Sequence, residues 1–232
     1  MSTDRETAMV NRWSASSLVL CSQLALAVGL TVCVPLMPHF LFSSTMGGVS
    51  NFGVHARTLA PYTAGIVISA WLLLKVSVQL TLTGEDRALA MLCRITAALF
   101  LLNLISTYPY QVAPTWRLLH NLCAILLAVG ELVGAVTLAW LLRDRSGYTV
   151  MAIAIGAFVV MALTQLGVLH VLFVAEVTTG VAFGVLLVRA ARQASRKPCH
   201  WVGDGPPPSA GPRDAGAHPM QHHALRSGDG AQ

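Results

Sequence analysis

A chain of 232 residues that is 55% hydrophobic and only 11% charged, with a mean hydropathy of +0.64, is too apolar for a soluble globular domain. Its net charge of +5 does not imply nucleic acid, because the positive residues sit at the ends of apolar runs and in the C-terminal tail, where membrane topology puts them. Cys21, Cys33, Cys93 and Cys123 fall inside apolar runs and Cys199 begins the tail, so their spacing offers neither a zinc site nor a disulfide framework.

Residues 1–15 form a polar N-terminal segment, followed by a first span over about 16–36 that is longer than a signal-peptide core and lacks a small-residue cleavage site. Pro35 and Pro38 close it, and residues 37–60 are expected to be a loop too polar to cross. A second span covers about 61–81, with Pro61 at its start and Lys75 and Gln79 one turn apart in its last third. The sequence GEDR breaks the pattern before a third span, about 88–107, which carries Arg94 early and Asn103 and Ser106 late.

The fourth span, about 118–142, is the most informative. At about 1.5 Å per residue it exceeds the roughly 30 Å hydrocarbon core, and Glu131 lies near its midplane, where an ionisable side chain faces protein or a water-filled cavity. His120 and Glu131 project within about 20° of each other on a helix, on a stripe with Ala124, Leu127, Gly134 and Ala135. Gly130 and Gly134 make a small-residue step that admits a neighbouring helix. Two readings follow: a packing seam with a hydrogen-bonded Glu131, or a functional site.

Residues 148–190 are apolar for too long to be one crossing and divide into spans of about 148–166 and 169–189, with the turn at 165–170. The sixth span carries Glu176 and a second small step, Gly180 to Gly184. Residues 191–232 are rich in Pro, Gly, Ser, His and Arg without apolar periodicity and are expected to be a disordered tail; its histidines and Pro206 to Pro208 are assigned no function.

The fold class is thus all-α, a six-helix membrane bundle. Segments on the side of the termini hold Arg5, Arg12, Arg87, Arg143, Arg145, Arg189, Arg192, Arg196 and Lys197, whereas the opposite loops hold Arg57 and Arg117, which predicts cytoplasmic N and C termini. Arginine outnumbers lysine, a coding bias that suits a GC-rich bacterium, so the expected location is a bacterial plasma membrane. On this topology His120, Asn121, Asn103 and His170 gather at the outer side, and with Glu131 and Glu176 they are the candidate lining of an outer polar pocket. Lys75 and Arg94 lie about 9–10 Å inside the cytoplasmic edge, as snorkelling anchors or lipid-headgroup contacts.

No catalytic set stands out: there is no HExxH, no CxxC and no GxSxG, and no aspartate lies within a span. No metal and no cofactor is expected. The order of features in 16–190 resembles the six-span damage-regulated autophagy modulator family and its uncharacterised bacterial relatives. That resemblance rests on the proline-rich exit VPLMPHF (Val34 to Phe40), the loop MGGVSNFGVH (Met46 to His55) and the His120–Asn121 opening of the fourth span. It implies a six-helix bundle with cytoplasmic ends and a role in membrane organisation or lipid homeostasis, with no catalytic residues to carry over; Lys75, Arg94, Glu131 and the tail depart from it.

The expected activity is therefore non-enzymatic lipid binding or membrane organisation, with membrane lipids as partners and self-association through the Gly130/Gly134 or Gly180/Gly184 faces. One alternative is a small proton-coupled transporter using Glu131 and Glu176, although no inverted repeat or broken-helix pair is evident. The other is a membrane enzyme with an outer-face histidine metal site.

Overall fold

The computed structural model describes residues 13–37, 48–84, 86–108 and 113–195, and these are all-helical apart from their connections. Six helices are long and apolar enough to cross a membrane: α1 (Ala15–Leu36), α2 (Ala56–Thr83), α3 (Arg87–Thr107), α4 (Pro114–Leu142), α5 (Arg145–Gln165) and α6 (Leu172–Ala194). A short 3-10 turn, Val49–Gly53, precedes α2. Among the described residues the pattern is thus that of a multi-pass membrane protein with six crossings.

Polar residues fix several helix ends. The Ser14 hydroxyl accepts from the Ser17 N–H, the Asp86 carboxylate from the Leu89 N–H, and the Asp144 carboxylate from the Gly147 N–H at 2.5 Å. Gly84 (φ 68°) ends α2 in the left-handed region that glycine enters without a Cβ penalty. Asp144 also reaches Arg189 of α6 at 2.6 Å, tying the α4–α5 turn to the last helix.

Boundaries differ from the sequence expectation in places. The second helix starts at Ala56, so Pro61 lies inside it and not at its start. Amides of Thr58 and Leu59 bond the His55 carbonyl, and the Thr58 hydroxyl bonds the Phe52 carbonyl at 2.7 Å, so the polar residues before Pro61 build an extra turn. Residues 37–60 are therefore not loop throughout. The fourth helix begins earlier, at Pro114, whose missing N–H costs nothing at a helix start. The last helix runs through Ala194, because Ala190, Ala191 and Ala194 are still buried against the bundle. The polar N-terminal segment up to residue 12, His39 with the rest of 38–47, and the tail from residue 196 lie outside the described residues.

Helix α1 packs along α2, α2 against α3, α3 against α4, α4 against α6, and α6 returns to α1; α5 packs on α4 and α6. The α1–α2 seam is the tightest. A Cβ at Gly29 would lie 2.8 Å from the Pro61 carbonyl oxygen and 2.9 Å from Gly65 Cα, so only glycine permits this approach of two backbones. Beside it the buried hydroxyls of Ser22 and Ser69 share a hydrogen bond of 2.8 Å, the kind of polar contact that holds helices together where lipid offers no competing partner. Gly134 receives Phe183 of α6 and Leu92 of α3, Gly130 receives Leu99, and Gly184 receives Gln23 of α1. Three of the four glycines of the small-residue steps thus receive a side chain of the same chain, and Gly180 is left open.

Candidate functional site: a cavity under the 3-10 turn

Bulky residues fill the bundle near its arginine-bearing end, where Leu73, Val76, Leu138, Leu186 and Leu187 are fully buried or nearly so. Elsewhere α1, α4 and α6 offer small side chains to one another, among them Ala27, Ala124, Ala128 and Gly180, and the helices do not close on themselves. The space left is a cavity of about 900 Å³, lined mainly by aliphatic side chains of α1, α4 and α6, with contributions from Tyr62, Phe100 and Met161. On α6 it extends from Phe173 and Glu176 to Arg189 and Arg192. Glu176 to Arg192 covers about 24 Å of helix, most of the roughly 30 Å hydrocarbon thickness.

Leu20 and Leu24 of α1, and Val181 and Val185 of α6, both line the cavity and remain exposed on the outside of the bundle. The cavity therefore has a lateral mouth between α1 and α6, on the face that acyl chains cover in a bilayer.

The 3-10 turn caps the other end. Its Val49 N–H, which has no partner within so short a turn, donates to Glu176 Oε2 at 2.5 Å. Gly48 supplies the clearance: a Cβ there would come within 2.6 Å of Glu176 Oε1. Phe52 packs edge-on against Phe173 of α6, with centroids 5.8 Å apart. Ser50 Oγ lies 3.0 Å from His120 Nε2, and Ser106 Oγ lies 3.1 Å from His120 Nδ1. Because the Ser106 hydroxyl already donates to the Asn103 carbonyl, His120 Nδ1–H donates to Ser106 and Nε2 accepts from Ser50, a tautomer assigned from this network. His120 thereby joins the turn to α3 and α4.

Of the residues anticipated for an outer pocket, Asn103, Glu131 and Glu176 line this cavity, and His120 adjoins it through Ser50, itself a lining residue. Glu131 Oε1 points at Gly180, 3.9 Å from where a Cβ would be, one turn along α6 from Glu176. Asn121 and His170 are exposed and are not brought to the cavity. Asn121 is turned about 100° from His120 on the same helix, and His170 lies in the connection before α6. Lys75 is exposed with its Nζ 3.7 Å over the Trp71 ring, and Arg94 Nε donates to Ser77 Oγ at 3.3 Å; neither lines the cavity.

Two functional features escaped the sequence reading. Gln23, the one amide side chain of the first helix, lines the cavity, and the signal that singled out Glu131, a polar side chain inside a span, applies to it equally. Ser50 carried no signal, since loop serines are common. Among the described residues Gln23 Nε2 and Asn103 Oδ1 are buried without a hydrogen-bond partner, and no group of three or more His, Cys, Asp or Glu side chains is placed to hold a metal ion. Gln23 and Asn103 both line the largely apolar cavity, with these two atoms themselves shielded from solvent.

No protein-family model, curated protein or solved structure matches the chain.

Proposed function

We propose that this protein is a non-enzymatic lipid-binding or membrane-organising protein that takes an amphipathic lipid into the cavity through the mouth between α1 and α6. The observation that carries this reading is the cavity itself: about 900 Å³, near the upper end of the roughly 300–1,000 Å³ typical of ligand pockets, apolar along most of its wall and open where lipid tails lie. We place it in a bacterial plasma membrane with its termini in the cytoplasm. This orientation rests on the side on which Arg87, Arg143, Arg145, Arg189 and Arg192 gather and makes the 3-10 turn the outer cap. Lys75 and Arg94 are then headgroup contacts on the cytoplasmic side. The reading accords with the resemblance to the damage-regulated autophagy modulators.

Native mass spectrometry of the detergent-solubilised protein tests it. Wild type is expected to retain one lipid class enriched over the host membrane, and Gly180→Leu, which fills the cavity at a position with room for a side chain, is expected to lose it. Recovery of unenriched bulk phospholipid from both proteins would refute the reading.

One observation favours a second reading, a proton-coupled carrier: Glu131 and Glu176 line a single cavity. Uptake into proteoliposomes that is driven by a proton gradient and abolished by Glu131→Gln would establish it.

A further inference from the structure

The polar groups of the cavity are sorted along its length. Near the 3-10 turn they are two carboxyl groups, Glu176 and Glu131 one turn further on, beside the amide of Asn103 and the hydroxyls of Ser50 and Tyr62. Toward the other end are the amide of Gln23, lying against Gly184, and then the guanidinium groups of Arg189 and Arg192. The ion pair found among the described residues joins Arg189 to Asp144, so neither glutamate has a basic partner there. Two carboxyl groups in an apolar wall without a counter-charge are costly to ionise, and a donor of positive charge bound between them would offset that cost.

Resting on the reading of the cavity as a lipid chamber, we propose that it selects amphipaths with a primary ammonium head, held by Glu131 and Glu176 beside Asn103, with the tail running along the apolar wall toward the α1–α6 mouth. A primary ammonium carries three N–H donors and no acceptor, which matches a pair of carboxyl groups that become pure acceptors when ionised. Glu176 keeps its second oxygen for the Val49 N–H, so the head group binds beneath the turn without displacing it. A carboxylate head has no N–H to donate and adds negative charge beside two carboxyl groups, and an alcohol has one donor to offer.

The full-length protein in phosphatidylcholine nanodiscs, whose trimethylated heads have no N–H to donate, is titrated with dodecylamine, dodecanol and dodecanoate. Saturable binding of dodecylamine about tenfold or more tighter than either control is expected, as is a loss of about tenfold in Glu131→Gln and in Glu176→Gln, the scale of one charge-assisted hydrogen bond. Glu176→Gln still offers an acceptor to Val49, and the three-probe comparison in wild type stands independently of any variant.

Nanodiscs containing phosphatidylethanolamine separate the sources of the ammonium. Competition with dodecylamine identifies a lipid headgroup, its absence a free amine, and either result supports the proposal. Saturable binding of dodecanol or dodecanoate as tight as that of dodecylamine would overturn the ammonium preference and leave the lipid chamber intact. Failure of all three probes to bind would overturn both.

Discussion

Gly29→Ala is expected to destabilise the bundle by about 1–3 kcal/mol, and Gly29→Leu by more, because the new Cβ meets backbone and not the end of a flexible side chain. The atoms it would strike, the Pro61 carbonyl oxygen at 2.8 Å and Gly65 Cα at 2.9 Å, move only if α1 and α2 separate. Separation would also pull apart the buried Ser22–Ser69 hydrogen bond and shift the wall of the cavity that α1 provides. Thermal unfolding in detergent, followed by size-exclusion chromatography, measures the effect. Gly156→Ala is the control: a Cβ there meets nothing within 4 Å, so the midpoint should hold or rise slightly, alanine being about 0.5–1 kcal/mol better than glycine inside a helix.

His120→Ala is expected to release the 3-10 turn. The ring bridges Ser50 to Ser106 at 3.0 and 3.1 Å, and its removal leaves buried Ser106 without that partner, at a cost of about 1–3 kcal/mol. Global unfolding should fall modestly, because most of the buried side chains lie elsewhere, in α2, α3 and α6. The larger effect is local: amide hydrogen exchange over residues 48–54 should accelerate roughly tenfold to a hundredfold, the range that 1–3 kcal/mol supplies. Exchange in α3 around Ala97 should be unchanged. Equal exchange at 48–54 in wild type and variant would mean that His120 does not hold the turn.

What was readable from the sequence follows the range over which each feature is encoded. The six crossings are local, each a run of apolar residues of about the right length, and arginine-bearing turns mark several of their ends. The inward stripe of α4 is local too, since Ala124, Leu127 and Glu131 on one helix face all line the cavity. The turn and its anchors are not local: Val49 and Glu176 are 127 residues apart and Ser50 and His120 are 70 apart. No periodicity within either segment announces such a pairing.

Glycines illustrate the same limit. Gly130/Gly134 and Gly180/Gly184 show as steps within one helix, and the structure fills them with Leu99, Phe183, Leu92 and Gln23 or leaves them to the cavity at Gly180. Gly29 and Gly65 each stand alone in their helix and become a pair only when α1 meets α2, so the tightest contact had no visible signature. Adjacency misled in the other direction: His120 and Asn121 look like one motif, yet successive residues on a helix point about 100° apart, and Asn121 is exposed while His120 is 5% exposed.

Photo-crosslinking in intact membranes with a lipid bearing a diazirine in its acyl chain, followed by peptide mass spectrometry, addresses the central claim most directly. A lipid held inside the bundle should place adducts on Glu131, Ala27 and Gly180, which line the cavity, and Gly180→Leu should remove them while labelling of the outward-facing Leu122 and Ile125 persists. Adducts confined to outward-facing residues in the wild-type protein would contradict the account.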